Sequence, residues 1–224
     1  MKKTMQWSLI CLLFIATGIA TISAQNLPPF EKILVTGNVS ILLIEGTADS
    51  MDIKNNAELL EYEVEGQTLK LSSKNLIKYN KQPTIKVAIV YQQIREIKAR
   101  AGASVYSDNT IEGEALQLRF SSGASGELTI TAKTIEVGVS EGGTLELQGL
   151  TAFLDAKAVT GGTLSAYDLD SQSTVVKTNT GGSAKVMAYE SLDATAKTGG
   201  SIAYKGEPKK VRTKDGLSGS IKEY

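Results

Sequence analysis

A short motif recurs seven times between Gly102 and the C-terminus: two small residues followed by a serine or threonine. Successive motifs begin 21, 19, 19, 20, 18 and 19 residues apart. A period of about 20 residues is typical of a solenoid, in which each coil buries its apolar side only against its neighbours. The repeat therefore constrains the architecture more than the activity. The motifs are Gly102-Ala103-Ser104, Gly123-Ala124-Ser125, Gly142-Gly143-Thr144, Gly161-Gly162-Thr163, Gly181-Gly182-Ser183, Gly199-Gly200-Ser201 and Ser218-Gly219-Ser220.

Apolar residues keep fixed positions relative to this motif. They occur seven, five and three residues before its first residue, and again three and five residues after it. Alternation with a period of two indicates a half-buried strand. Each coil is therefore predicted to hold two short strands joined at a corner, where glycine takes a positive φ without a Cβ clash. The residues before the motif include Leu116, Leu118, Phe120; Ile135, Val137, Val139; Leu154, Ala156, Ala158; and Leu192, Ala194, Ala196, and those after it include Leu145, Leu147; Leu164, Ala166; Ala184, Val186; and Ile202, Tyr204.

These columns predict the fold class: an all-β, single-domain, right-handed parallel β-helix (a β-solenoid) with coils of about 19–20 residues. A left-handed hexapeptide solenoid would place an apolar residue at every sixth position, and no such pattern occurs. Residues 101–224 are predicted to form the regular coils. Residues 25–100 are predicted to form irregular coils and an N-terminal cap. The coil Thr174–Thr178 is weaker, and Val211–Asp215 is expected to fray.

The first 24 residues are typical of a secretory signal peptide. Lys2 and Lys3 precede a short apolar core, and Ser23-Ala24 supplies small residues for cleavage. An uncleaved membrane anchor is the alternative, but the strongly apolar stretch is shorter than a span requires. We therefore expect residues 25–224 to be an exported β-solenoid domain with no membrane span after cleavage. Its location would be the periplasm, the outer-membrane surface or the medium.

The residue types present limit the chemistry of the exported chain. The sequence has no histidine, and its one cysteine, Cys11, lies in the predicted signal peptide. The commonest general base and thiolate metal ligands would both be missing, and we predict no metal and no cofactor. The 24 basic residues equal the 24 acidic ones, and loss of Lys2 and Lys3 leaves 22 against 24, a net charge of about −2. This balance argues against a nucleic-acid partner, since phosphate binding needs a basic surface.

Two outward columns form the candidate ligand surface. The position four residues before the motif is basic in several coils (Arg119, Lys157 and Lys177), and the position six residues before it is often acidic. The simplest interpretation is a solubilising face that discourages aggregation, and the alternative is a ligand surface. Tyr167 and Tyr189, expected in turns after the second strand, could stack on sugar rings.

Glycoside hydrolysis needs two carboxylic acids at a defined separation. Asp168 with Asp170, and Glu112 with Glu114, are the candidates. Each pair lies in a predicted loop, and no other coil repeats an acid at that place. A solvated loop is the better interpretation, and we predict no catalytic residues.

The same residues carry a resemblance to a known family. The start Phe30-x-x-Ile33-x-Val35-x-Gly37-x-Val39-x-Ile41, the segment Val64-x-Gly66-x-x-Leu69-x-Leu71 and the following Gly-Gly-Ser/Thr repeats are similar to the putative auto-transporter adhesin, head GIN-domain family. The resemblance covers residues 30 to 220 and implies a β-helix-like fold at the envelope of Gram-negative bacteria. The family offers no set of catalytic residues.

The residues and the resemblance together favour a non-enzymatic envelope β-solenoid that presents a flat strand face to a glycan or a protein partner. One alternative is a structural periplasmic module that works in envelope maintenance or assembly. Another is a polysaccharide-active β-helix enzyme, which would require stacked carboxylates or an Arg/Lys pair in a groove.

Overall fold

The computed structural model describes residues 25–74 and 83–224. The chain forms a β-solenoid of about 7 turns, which confirms the predicted all-β class. The predicted signal peptide lies outside the described residues. One short 3-10 turn occurs at Ala57–Leu59. The strands are β1 (Gln25–Asn26), β2 (Lys32–Thr36), β3 (Val39–Glu45), β4 (Ser50–Ile53), β5 (Leu60–Glu65), β6 (Thr68–Ser73), β7 (Ile85–Tyr91), β8 (Glu96–Arg100), β9 (Ser104–Ser107), β10 (Ile111–Ser121), β11 (Ser125–Val139), β12 (Thr144–Val159), β13 (Thr163–Asn179), β14 (Ser183–Met187), β15 (Ser191–Ala196), β16 (Ser201–Lys205), β17 (Lys210–Asp215) and β18 (Ser220–Glu223).

Parallel pairing between successive coils follows the register of the sequence repeat. Ile135 lies beside Leu116 on one side and beside Leu154 on the other. The inward columns named above are buried along most of the solenoid. Alanines fill several of the inward positions, and Ala156 and Ala194 are fully buried. Every residue of β17 is exposed, in agreement with the weak apolar pattern of the last coil, but β17 pairs with β15 over its whole length and does not fray as predicted.

The corners of the six motifs that begin with glycine are tight turns with two left-handed residues, whereas the last motif has one, Ser218. Thr160 (φ 51°) and Gly161 (φ 73°) form one such corner, and the backbone N–H of Gly162 donates to the carbonyl of Val159 at 2.9 Å. Two consecutive positive φ values closed by this bond define a type I′ turn. The predicted positive φ of Gly161 and Gly181 is therefore confirmed. The left-handed residue before each glycine was not predicted.

The second small residue of the motif is required by space rather than by its backbone angles. A Cβ atom on Gly162 would lie 2.4 Å from the carbonyl oxygen of Val139 in the preceding coil, and one on Gly182 would lie 2.1 Å from that of Ala158. Alanine fills this position in the first two motifs, and both Ala103 and Ala124 are fully buried. The corner thus brings the backbones of neighbouring coils into close contact.

The two predicted strands of a central coil are continuous through a second bend. In β12 the inward–outward alternation changes phase after the buried Thr151, because Ala152 and Phe153 both face solvent before Leu154 turns inward again. Two adjacent outward residues mark the bend. In the C-terminal coils the same junction interrupts the strand, so β14 and β15 are separate elements.

The N-terminal coils are stacked in a different order from their order in the chain. Strand β2 pairs in parallel with both β6 and β8, and β3 pairs with both β7 and β9. The coil formed by β2 and β3 therefore lies between two coils that follow it in sequence. Strands β4 and β5 pair antiparallel with β7 and β6 at the outer end of this stack. The outer edges of β7 and β6 are thereby paired.

Candidate functional site

The candidate basic residues occupy one outward column on a single wall of the solenoid. Arg119 pairs in register with Gly138, Gly138 with Lys157, and Lys157 with Lys177. Each residue belongs to the next coil along the axis, so neighbours are about 4.8 Å apart. The column results from strand alternation, because the residues on either side of each basic residue point into the core.

Gly138 leaves a gap in this column that the side chain of Arg119 fills. A Cβ atom on Gly138 would lie 2.9 Å from Cδ and 3.3 Å from Nε of Arg119. The arginine therefore lies flat over the neighbouring strand, where no side chain obstructs it. The guanidinium of Arg119 lies above the coil that contains Gly138, here the second coil, although the Cα of Arg119 belongs to the coil before it.

Two acceptors hold the guanidinium in that position. Nη2 of Arg119 donates to Oε1 of Glu136, and Nη1 donates to the carbonyl of Leu118 at 3.3 Å. The amide of Gln117 donates to the other oxygen of Glu136 at 2.8 Å. Hydrogen bonds from Gln117, and then from Arg119, lower the pKa of the Glu136 carboxyl below its usual value. The carboxylate stays ionised and keeps the arginine extended along the wall.

Arg119, Lys157 and Lys177 all line one open groove with a volume of about 590 Å³, here called the basic groove. Glu136 and Asp155 are its carboxylates. Three cations against two carboxylates leave the groove with a formal charge of +1 at neutral pH. Hydroxyl groups of Ser121 and Ser140 and the backbone of Gly138 also line it.

Lys157 and Lys177 are placed directly beside each other on adjacent coils. Both are exposed, and within residues 25–74 and 83–224 neither has an ion-pair partner. Like charges opposite each other in a sheet are destabilising. A solubilising face would be better built from alternating charges, so this pair distinguishes the basic groove from an ordinary polar wall.

The sequence prediction placed Tyr167 in a turn, but Tyr167 lies within β13. It occupies a β-bulge, where β13 carries one residue more than β12 between Ser165 and Asp168. Its ring contacts two lysines of the following coils, Lys205 with Nζ 4.4 Å and Lys185 with Nζ 5.8 Å from the ring centre. The extra residue explains why this coil is longer than its neighbours. Tyr167 does not line the basic groove.

Tyr189 lies in a turn, as predicted, and its ring is 43% exposed. Its hydroxyl donates to Asp170 at 3.0 Å, and this hydrogen bond raises the pKa of the tyrosine above its usual value. Leu150, 54% exposed, lines the same shallow concavity. Phe153, 37% exposed, lies on the other side of the bend in β12. Leu150, Phe153 and Tyr189 are here called the apolar corner, and none of them lines the basic groove.

Ion pairs border the apolar corner in the coils on either side. Lys133 lies 3.9 Å from Glu114 in an earlier coil, and Lys209 lies 2.7 Å from Glu190 in a later one. Exposed apolar and aromatic residues bordered by charged ones are the usual composition of a protein contact surface. Sequence reasoning missed the apolar corner because Leu150 and Phe153 belong to neither inward column. The sequence signal that could have revealed these residues is the change in the inward–outward alternation at the bend in β12.

The serine or threonine of the motif forms a continuous hydroxyl column on the wall that follows the corner. Ser104 pairs with Ser125, and the two hydroxyl oxygens are 2.9 Å apart. Near the other end, the hydroxyl of Ser201 donates to that of Ser183 at 3.1 Å. Ser40 of β3 extends the column beside Ser104, out of chain order. These two bonds tie neighbouring coils together at the corners where they occur.

The candidate carboxylate pairs do not form a constellation with neighbouring coils. Asp168 and Asp170 are consecutive outward residues of β13, and Asp170 is engaged by Tyr189. Glu114 approaches Lys133 in the next coil. In the part of the chain that the structure describes, no group of three or more acidic, histidine or cysteine side chains could hold a metal ion. No helix among the same residues is long and apolar enough to cross a membrane.

The fold is similar to several solved structures. A putative adhesin from Bacteroides fragilis NCTC 9343 has a TM-score of 0.80 and 21% identity over 90% of this chain and 95% of that chain. A putative adhesin from Parabacteroides distasonis ATCC 8503 has a TM-score of 0.70 and 20% identity over the same shares of the two chains. A putative lipid binding protein from the same organism has a TM-score of 0.66 and 19% identity over 90% of this chain and 96% of that chain.

Sequence comparison gives the family. No protein of curated function matches the chain significantly. The sequence profile of the family described as "Putative auto-transporter adhesin, head GIN domain" matches residues 29–208, which include the N-terminal coils and six complete motifs that begin with glycine. The resemblance found in the sequence is therefore confirmed, and the chain belongs to this adhesin family.

Proposed function

We propose that this protein is a non-enzymatic binding module of the cell envelope that holds an anionic glycan in the basic groove. The adhesin family and the adhesin structures support a binding role and an extracellular or envelope location. The observation that carries the proposal is a pair of lysines, Lys157 and Lys177, that have no ion-pair partner among the described residues and lie adjacent in one groove beside a prepositioned Arg119. An anion bound between them would relieve their repulsion.

Export after cleavage of residues 1–24 is part of this proposal. The protein would reach its partner in the periplasm, at the outer-membrane surface or outside the cell. Protease treatment of intact cells discriminates these locations, since only a surface-exposed protein would be digested without lysis.

Binding to immobilised polysaccharides tests the proposal. The purified protein should be retained by polygalacturonate and by a sulfated polysaccharide, should pass a neutral dextran, and should elute as salt rises, because exposed charges are screened. The double variant Lys157→Ser/Lys177→Ser should lose retention, whereas Lys133→Ser should keep it. Retention by dextran, or unchanged retention of the double variant, would contradict the proposal. Release of new reducing ends or unsaturated products would contradict the non-enzymatic role.

The apolar corner favours a second candidate, a structural envelope module that docks to another protein. Leu150, Phe153 and Tyr189 provide apolar and aromatic area inside a rim of ion pairs. This candidate predicts no affinity for isolated glycans. It also predicts that charge substitution at Leu150 disrupts an envelope assembly while leaving the groove intact.

A further inference from the structure

The cations of the basic groove lie in a row along the solenoid axis. We infer, resting on the proposed function, that it takes a linear acidic polysaccharide lengthwise along the solenoid axis, with one acid group over each of three successive coils. The cations of those coils are the guanidinium of Arg119 above Gly138, then Lys157, then Lys177.

The cations fall at the regular interval of the solenoid. Adjacent parallel strands are separated by about 4.8 Å, and each strand of the groove contributes one position to the column. One sugar of an extended polysaccharide is about as long as this interval. A polymer with an acid group on every sugar has one carboxylate for each cation, and it would meet each cation in turn when it binds with those carboxylates rotated toward the groove.

Gly138 is the positioning residue of this arrangement. The arginine belongs to the coil before Gly138, and it reaches the second coil only because no side chain stands in its path. With Gly138 in place, the guanidinium supplies the cation that the second coil lacks. Its hydrogen bonds to Glu136 and to Leu118 use Nη2 and Nη1, so the Nε–H and further Nη hydrogens are free to meet a carboxylate.

The strand pairing favours a glycan over an acidic peptide as the occupant. Strand β11 is paired with β10 and β12, and β12 is paired with β11 and β13. The groove therefore offers no free strand edge to which a peptide could add main-chain hydrogen bonds. It offers charged side chains and the hydroxyls of Ser121 and Ser140, which suit the carboxylates and hydroxyls of a sugar chain.

A length series of oligogalacturonides tests the inference by calorimetry at low salt. Affinity should rise with each added sugar until three are present and then rise only weakly. Gly138→Leu should lower the affinity of the trimer about two- to fivefold, as Arg119→Ser does, because each removes one exposed charge contact. Thermal stability of Gly138→Leu should be unchanged or higher, since glycine weakens a strand interior.

The outcomes separate this inference from the function on which it rests. If polygalacturonate does not bind at all, both fail. If it binds through Lys157 and Lys177 but the monomer binds as tightly as the trimer, or Gly138→Leu binds like the native protein, the lengthwise arrangement is wrong and the function stands. If polyglutamate competes as effectively as polygalacturonate, the glycan assignment is overturned.

Discussion

Replacing Gly181 with valine tests the physical basis of the repeat. Gly181 has a φ of 73°, and no heavy atom would lie within 4 Å of an added Cβ. The substitution therefore meets no steric obstacle from its surroundings, and its cost is conformational. A β-branched residue in the left-handed region costs about 2–3 kcal/mol. For a chain of this size that corresponds to a fall in melting temperature of about 4–12 °C.

The neighbouring Gly182 should be sensitive for a different reason. Even alanine would place its Cβ 2.1 Å from the carbonyl oxygen of Ala158, so two coils would have to separate locally. Overpacking of this kind costs about 1–3 kcal/mol. Lys177→Ser is the control, because an exposed substitution changes stability by about 0.5 kcal/mol or less.

Thermal unfolding followed by circular dichroism measures all three variants. Gly181→Asn adds a discriminating case, because asparagine tolerates the left-handed region better than valine and should lose less stability. Equal small shifts for Gly181→Val and Lys177→Ser would refute the corner assignment. If Gly182→Ala left the melting temperature unchanged while Gly181→Val lowered it, only the argument from close backbone contact would be refuted.

Three further predictions concern strain and titration. Thr160 is exposed and left-handed (φ 51°), so Thr160→Asn should raise the free energy of unfolding by about 1 kcal/mol; an unchanged or lower melting temperature would contradict this. Burial raises the pKa of Tyr91 from 10.0 to about 12, so the native fold should lose stability as pH rises through that interval, and Tyr91→Phe should abolish part of the loss in alkaline melting curves. Because the pKa of Glu136 is lowered in the folded protein, its stabilising contribution is present above its unfolded pKa and is lost as pH falls through the folded pKa. Glu136→Gln should therefore make the melting temperature depend less on pH in the acid range. Equal pH dependence of the melting temperature for the native protein and the variant would exclude this contribution.

The repeated coils could be predicted from the sequence because their determinants are local. An inward residue such as Ile135 or Leu154 is identified by its distance from the motif, and parallel stacking places it beside its equivalent in the next coil. The weak column of the last coil, at Val211, also corresponds to exposed residues.

The stacking order of the N-terminal coils could not be predicted in the same way. Strand β2 pairs with β6 and β8. Nothing in the sequence of Lys32–Thr36 indicates that it pairs with these strands and not with the next strand in the chain. Parallel pairing between distant segments leaves the alternation of each strand unchanged. Only the packing of the assembled coils distinguishes the two orders.

The sequence indicated the members of the basic groove but not its geometry. The basic column was visible in Arg119, Lys157 and Lys177, whereas Gly138, at the same position of the intervening coil, carries no charge. The position of Arg119 depends on the space above that glycine and on Glu136 in the next coil, which is a contact between strands rather than a sequence pattern. For the same reason the sequence identified Tyr167 as a candidate ligand-binding residue but did not indicate that it lies in a β-bulge.

The most direct test of the central claim is a lysine-reactivity footprint of the native protein with and without polygalacturonate. Acetylation followed by mass spectrometry reports each ammonium group separately. Lys157 and Lys177 should be protected by the polymer, and Lys133 on the opposite side of the bend should react as before. Protection spread evenly over all lysines, or absent from Lys157 and Lys177, would contradict the assignment of the basic groove as the binding site.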